Sequence, residues 1–140
     1  MANVLVVEDD ADSLEVVARL VTRGGHAPIR ASNGWEALVA LDERQVDVVV
    51  LDLMMPGMNG HTFLRILRHD DRRKNLPVIL LTALRQGDMV AGCLKLGVGA
   101  CLIKGEYKAD DLFRAVDQQL AHAPGRVQWI GHGPPPITHN

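Results

Sequence analysis

Five polar residues of this 140-residue chain stand directly after short apolar segments, at positions where their side chains could share one site. Three are carboxylates, one is a hydroxyl and one is an amine. A cluster of this composition could bind a divalent cation and a phosphoryl group. The candidate residues are Glu8, Asp9, Asp52, Thr82 and Lys104.

The apolar segment before Asp52 indicates how this residue would be positioned. Residues 48–51, Val-Val-Val-Leu, show no polar alternation, which is typical of a strand buried on both faces of a parallel sheet. Pro56, Gly57 and Gly60 follow and would end the strand. Open α/β sheets bind ligands at the carboxyl ends of their strands, which is where Asp52 falls. Taken alone, Asp52 could equally begin a turn.

Strand-like and helix-like segments alternate five times along the chain. This pattern predicts an α/β fold: a flavodoxin-like (βα)5, doubly wound, parallel five-stranded sheet with strand order 2-1-3-4-5. The predicted strands are 3–7, 26–31, 48–51, 78–81 and 100–103, and the predicted helices are 11–23, a segment after residue 34, 61–69, 87–96 and 110–122.

The composition changes after residue 122. Residues 123–140 are rich in proline and glycine, which is typical of a linker or tail. Trp129 and Ile130 are the exception, because they could either dock on the domain or remain exposed. The sequence thus predicts one domain at 1–122 and a tail or linker at 123–140 that is too short for an output domain.

Composition and charge disfavour several classes of function. The net charge is −2, which favours no direct binding to nucleic acid. No apolar run approaches the roughly 20 residues of a membrane span, and no secretion signal is visible. We therefore expect a cytoplasmic protein without a membrane partner. Cys93 and Cys101 are too few for a disulfide framework and are expected to be reduced and buried.

Crowding the three carboxylates would raise at least one pKa unless a cation intervened, and Mg²⁺ is the cation that such oxygen ligands favour. Asp52 could then attack phosphorus as a nucleophile, while Lys104 neutralises charge and Thr82 donates a hydrogen bond. Simpler roles exist for each residue. Glu8 and Asp9 could cap a helix, Lys104 could lie on the surface, and Thr82 could merely end a strand.

Four motifs in order, V-L-V-V-E-D-D, L-D-L-M-M-P-G-M-N-G, L-P-V-I-L-L-T-A and L-I-K, carry a family resemblance. Residues 2–122 resemble the CheY-like receiver domain of two-component response regulators. The resemblance implies a phosphorelay protein in which Asp52 accepts a phosphoryl group from a histidine kinase or a histidine phosphotransfer protein. It implies a signalling domain and not an enzyme, although self-catalysed phosphotransfer and slow self-dephosphorylation are expected.

The resemblance also implies individual roles at the site. Asp9, Asp52 and the backbone carbonyl of Met54 would bind Mg²⁺ directly, and Glu8 would act through water. Thr82 and Lys104 would contact the phosphoryl oxygens.

Two residues depart from the family pattern. Cys101 stands where receivers usually carry a tyrosine or phenylalanine whose rotation reports phosphorylation. Gly105 stands where a proline usually follows the lysine, commonly through a cis bond. Any output change is therefore expected from the loop at 82–87, and the placement of Lys104 is less constrained.

The resemblance places partners on two surfaces. The kinase side would be the first helix, near Asp12, Ser13 and Leu14. An unknown downstream protein, or a second copy in a homodimer, would meet the surface of helix 4, strand 5 and helix 5. That surface is expected to include Met89, Val90, Cys93, Ile103, Tyr107 and Arg114.

Two alternative functions remain open from the sequence. The chain could be a pseudo-receiver that binds partners without phosphate, or an aspartate-nucleophile phosphatase that uses Asp10 and Asp12. The receiver interpretation requires the Asp52 side chain to lie near Asp9 and Lys104 and to face solvent.

Overall fold

A computed structural model describes residues 1–83, 86–121 and 128–131 of the chain. The predicted end of the last helix at residue 122 lies outside the described residues. So do two residues of the 82–87 loop and most of the 123–140 tail.

Six parallel strands form one sheet in the order β2-β1-β3-β4-β5-β6. The first five confirm the predicted strand order 2-1-3-4-5. The strands are β1 (Asn3–Val7), β2 (Ala27–Ala31), β3 (Val48–Asp52), β4 (Val78–Thr82), β5 (Ala100–Ile103) and β6 (Gln128–Ile130).

The sixth strand was not predicted. It lies within the predicted tail and pairs with β5, with Ala100 opposite Gln128 and Leu102 opposite Ile130. Three residues between proline- and glycine-rich segments are too few to show strand periodicity. Ile130 packs against the hydrophobic core, so this part of the chain docks on the domain.

Five helices connect the strands, and side chains cap three of them. They are α1 (Ala11–Arg23), α2 (Gly34–Glu43), α3 (Gly60–Arg68), α4 (Asp88–Leu96) and α5 (Ala109–Ala121). Asp10, Asn33 and Asn59 each accept a hydrogen bond from the amide three residues later. Because Asp10 caps α1, a capping role for Glu8 or Asp9 is not needed.

Helices cover both faces of the sheet, as the doubly wound fold requires. On one face, α2, α3 and α4 pack over a cluster that includes Leu51, Phe63 and Cys101. On the other face, α1 and α5 pack over a cluster that includes Val50 and Leu112. Every residue of β3 and β4 is buried, which explains why these strands lack polar alternation.

The strands end at one edge because their registers align. Val7 lies opposite Leu51, Asp52 opposite Leu81, and Thr82 opposite Ile103. The residues that follow each strand therefore meet at one edge of the sheet. None of the helices in the described part of the chain is long and apolar enough to cross a membrane.

Candidate phosphoryl-acceptor site

Three strand ends bring the candidate site together. Asp52 is the last residue of β3, Glu8 follows β1 directly, and Lys104 follows β5. The backbone amide of Lys104 donates to the Thr82 carbonyl over 3.0 Å, which extends the β4–β5 pairing by one residue. The parallel pairing thus sets the direction in which each side chain leaves the sheet.

The Lys104 ammonium bridges two of the carboxylates. Its Nζ atom lies 3.0 Å from Asp52 Oδ1 and 3.1 Å from Glu8 Oε2. Lys104 is therefore in direct contact with Glu8, which lies 96 positions earlier in the chain, and with Asp52, which lies 52 positions earlier. This is the convergence that the receiver interpretation requires of Asp52 and Lys104.

The acidic cluster fits a hard divalent cation. One carboxylate oxygen from each of Glu8, Asp9 and Asp52 lies within 4.8 Å of the other two. Asp52 Oδ2 is buried and has no hydrogen-bond partner within the described residues. A buried carboxylate oxygen normally has a partner, and Mg²⁺ prefers oxygen ligands of this kind. The geometry therefore suits the cation that the sequence predicted.

The solvent-facing orientation that we expected for Asp52 is wrong for this conformation. Its side chain is 2% exposed and that of Glu8 is also 2% exposed, whereas the Lys104 side chain is 35% exposed. The partly exposed Lys104 side chain contacts both buried carboxylates through its Nζ atom. Asp9 is exposed beside them, so the cluster borders solvent on that side.

Burial raises the pKa of Asp52 to about 7 from 3.8. The contact with the Lys104 ammonium lowers this pKa, but it does not offset desolvation, and the neighbouring Glu8 carboxylate raises it further. Desolvation is thus the main cause of the raised pKa, and the repulsion between neighbouring carboxylates that we expected from the sequence adds to it.

The pKa of Lys104 is also raised. Burial alone would lower it, but hydrogen bonds and attraction to Asp52 and Glu8 outweigh that effect. Lys104 therefore carries its positive charge at neutral pH and is available to neutralise an anion.

Two further candidate residues, Thr82 and Met54, contact other residues of the site. Thr82 is fully buried at the end of β4, and its backbone carbonyl accepts from Lys104. Met54 is half-exposed, and its amide donates to Asp52 Oδ1 over 3.3 Å. The roles predicted for the Thr82 hydroxyl and the Met54 carbonyl concern a phosphoryl group and a metal ion, and they stay predictions.

Gly60 allows α3 to begin close to the backbone of Asp52, a role that the sequence pattern did not predict. A Cβ atom at this position would lie 2.8 Å from the Leu53 Cα atom and collide with the Asp52 carbonyl. The α3 helix can therefore begin against the end of β3 only with a glycine there. From the sequence, Gly60 was expected only as one of the residues that end the strand, and its position did not indicate a close backbone approach.

The backbone at Gly105 explains why a proline does not stand at this position. Gly105 has a φ angle of +81°, which proline cannot adopt because its ring holds φ near −65°. Cys101, the other departure, is fully buried in the core and has no exposed surface to report a change.

Half of the six residues predicted for the partner surface of α4, β5 and α5 are buried in the core, and Met89 is partly buried against it. Val90, Cys93 and Ile103 are buried, because they face the sheet or its neighbours. Tyr107 packs against the α1–α5 side of the core, and burial raises its pKa. Arg114 is exposed and pairs with Asp111. The expectation that all six residues form a contact surface is therefore wrong.

Comparison with known proteins identifies the family. The family described as "Response regulator receiver domain" matches residues 4–117. The chain therefore belongs to the receiver domain family of two-component response regulators.

Individual relatives agree with this family. The DNA-binding response regulator MtrA of Mycobacterium tuberculosis is 39% identical over 118 residues, covering 84% of this chain and 50% of MtrA. The receiver domain of the Francisella response regulator 1452 is 32% identical, with a TM-score of 0.76 over 86% of this chain and 97% of that one. The chemotaxis protein CheY4 of Vibrio cholerae is 26% identical, with a TM-score of 0.77 over 84% and 97%.

The chain spans about half the length, or less, of the curated relatives it matches. What those longer proteins do as a whole is therefore not transferred to this chain by the match alone.

Proposed function

We propose that Asp52 is the phosphoacceptor of this receiver domain, with a histidine kinase or a histidine phosphotransfer protein as the donor. One observation carries the proposal. Asp52 presents an unpartnered buried oxygen beside Asp9 while its other oxygen contacts the Lys104 ammonium. An anionic group arriving at Asp52 would meet one fixed positive charge and a set of cation ligands.

In the proposed step, an Asp52 carboxylate oxygen attacks phosphorus in line. The new O–P bond forms as the P–N bond of the phosphohistidine breaks, and the imidazole leaves with the electron pair and takes up a proton. Lys104 would move from Asp52 Oδ1 to the phosphoryl oxygens and neutralise their charge. Thr82 is proposed to hydrogen-bond the same oxygens.

Glu8, Asp9 and Asp52, with the Met54 carbonyl, are the residues proposed to hold Mg²⁺, Glu8 acting through water. The ion would neutralise charge on the phosphoryl oxygens. The carboxylate cluster and the unpartnered Asp52 oxygen support this assignment.

Labelling with acetyl phosphate and Mg²⁺ tests the acceptor. The wild-type chain should gain one phosphoryl group by intact mass, and Asp52→Asn should gain none. Asp10→Asn is the matched control, because asparagine also caps helices and Asp10 accepts from both the amide and the hydroxyl of Ser13.

Each labelling result decides between functions. Equal labelling of wild type and Asp52→Asn would refute the assignment. Loss of labelling in Asp10→Asn alone would favour the aspartate-nucleophile phosphatase. A wild-type chain that takes no phosphoryl group would favour a pseudo-receiver.

The output is proposed to be a protein–protein contact, with a homodimer through the exposed parts of α4 and α5 as one form of it. The absence of direct nucleic-acid binding is a prediction for these 140 residues only, since longer relatives such as MtrA are named DNA-binding response regulators. The cytoplasmic location, the slow self-dephosphorylation and the 1–122 receiver boundary remain predictions.

A further inference from the structure

The β6 strand lies beside the part of β5 that leads to Lys104. Ile130 pairs with Leu102 and packs against the α1–α5 side of the core. Gly131 then lies so close to Ile103 that a Cβ atom there would collide with its side chain. The same atom would lie 3.2 Å from Glu106 Oε2. The end of β6 therefore lies close to Ile103, which precedes Lys104, and to Glu106, which follows it two residues later.

The backbone around Lys104 is also held on the other side of β5 and by a turn. Its amide bonds to Thr82 on the β4 side, and the amide of Glu106 closes a tight turn on the Ile103 carbonyl. Gly105, between them, has a positive φ angle and no side chain. Without β6, β5 would be the edge strand of the sheet, and its end would be paired on one side only.

We propose that β6 is a positioning element for Lys104. By holding the end of β5 against β4, it fixes the direction from which the ammonium reaches Asp52 and Glu8. The proposal rests on the proposed function, in which Lys104 assists phosphoryl transfer to Asp52. It assigns a role at the site to a segment of the predicted tail.

The variant Ile130→Asp in the full chain tests the proposal, because a carboxylate cannot remain packed against the core without a partner. Ile66→Asp is the matched control, since Ile66 is 41% exposed on α3. Gly131→Ala disturbs the same contact with Ile103 without adding a charge. Urea denaturation confirms that each variant is folded.

Amide hydrogen exchange gives a readout that does not depend on phosphate. In Ile130→Asp and Gly131→Ala we expect exchange at Lys104 and Glu106 to be about tenfold faster than in wild type. Exchange over β3 and in Ile66→Asp should stay unchanged. Unchanged exchange at Lys104 in both β6 variants would overturn the proposal.

A double-mutant cycle shows whether β6 acts through Lys104. Ile130→Asp should slow acetyl phosphate labelling about fivefold in the wild-type background and less than about twofold in the Lys104→Ala background. Equal losses in the two backgrounds would show a general structural effect and overturn the proposal. If the β6 variants exchange faster at Lys104 than wild type does, but the wild-type chain takes no phosphoryl group, the proposed function is refuted and the support of Lys104 by β6 stands.

Discussion

At Asp52, burial and an ammonium ion act in opposite directions on one carboxylate. Lys104 favours the ionised form, whereas desolvation and the nearby Glu8 favour the protonated form and prevail. Without a metal ion, the ionised form of Asp52 is therefore disfavoured even beside the Lys104 ammonium. A site that gains stability when it takes up positive charge is suited to binding a metal ion.

This imbalance predicts a pH dependence of stability in EDTA. The pKa of Asp52 is about 7 in the folded protein and 3.8 when unperturbed, so the folded state binds more protons between these values. The free energy of unfolding of wild type should therefore fall, relative to that of Asp52→Asn, as pH rises from about 4 to about 7.

The difference between a pKa of about 7 and one of 3.8 corresponds to about 4 kcal/mol. We therefore expect Asp52→Asn to be more stable than wild type by at most about that amount at pH 8, and the two to converge below pH 4. Urea denaturation followed by circular dichroism at several pH values measures this difference. A difference that does not vary with pH would contradict the assignment of the shift to Asp52.

A second prediction concerns the amine. Lys104→Ala should slow acetyl phosphate labelling of Asp52 by about tenfold or more, because a buried anion loses its nearest positive charge. Lys108→Ala is the control, since Lys108 is exposed and does not contact the acidic cluster within the described residues. Time courses of the mass increase give both rates. Comparable losses would show that net charge matters and that the position of Lys104 does not.

At the scale of single residues, the sequence predicted which residues come together at the site, but not the orientation or burial of their side chains. Their positions directly after buried strands were sufficient for Glu8, Asp52 and Lys104, because strand pairing fixes where the backbone ends. The contact between Lys104 and Asp52, and the burial of Asp52, depend on side-chain rotamers and on charge balance. No spacing in the sequence specifies either of these.

At the scale of the helices and strands, a side chain from α3 holds the carboxyl end of α4. The Arg68 guanidinium on α3 donates to the carbonyls of Leu96 and Gly97, and also to that of Leu76. These groups include helix-end carbonyls that would otherwise lack partners. At the other end of α4, no side chain among the described residues caps the helix.

Arg68→Ala should lower the free energy of unfolding by about 2–3 kcal/mol, because a charged donor to three carbonyls is lost in a half-buried location. Arg65→Ala, one turn earlier on the exposed face of α3, should change it by less than about 0.5 kcal/mol. Urea denaturation at pH 7 measures both. Equal effects of the two substitutions would show that Arg68 does not hold α4.

Helices and long strands were predictable because apolar periodicity and apolar runs mark them, as α1 and β3 show. The exception is β6, which has three residues and depends on the tertiary surface that β5 offers. The wrong assignment of Val90 and Cys93 to a partner surface has a similar cause. A helix that is apolar on several sides does not reveal from sequence alone which side is covered.

Over the whole molecule, the thiols report on global unfolding. Burial raises the pKa of Cys93 and that of Cys101 to about 12, and both lie in the core between α4 and β5. A thiol reagent at pH 8 should therefore not label the folded protein, since the thiolate is the reactive form. Both thiols should react in denaturant, by absorbance or mass. Rapid labelling of either without denaturant would show that α4 opens locally.

The order of the five main strands was predictable at this scale because right-handed crossovers leave few arrangements for an alternating pattern. Two hydrophobic clusters on opposite faces follow from that topology. The extent of the sheet was not predictable, because its outermost strand is specified by docking.

The strands at the two borders of this sheet also bear on how the protein behaves in concentrated solution. One border strand, β2, contains Pro28, which has no amide hydrogen to offer a neighbouring molecule. The other, β6, is only three residues long. Short or proline-bearing borders are poor templates for intermolecular strand addition, so the described sheet is protected against edge-to-edge aggregation at both margins.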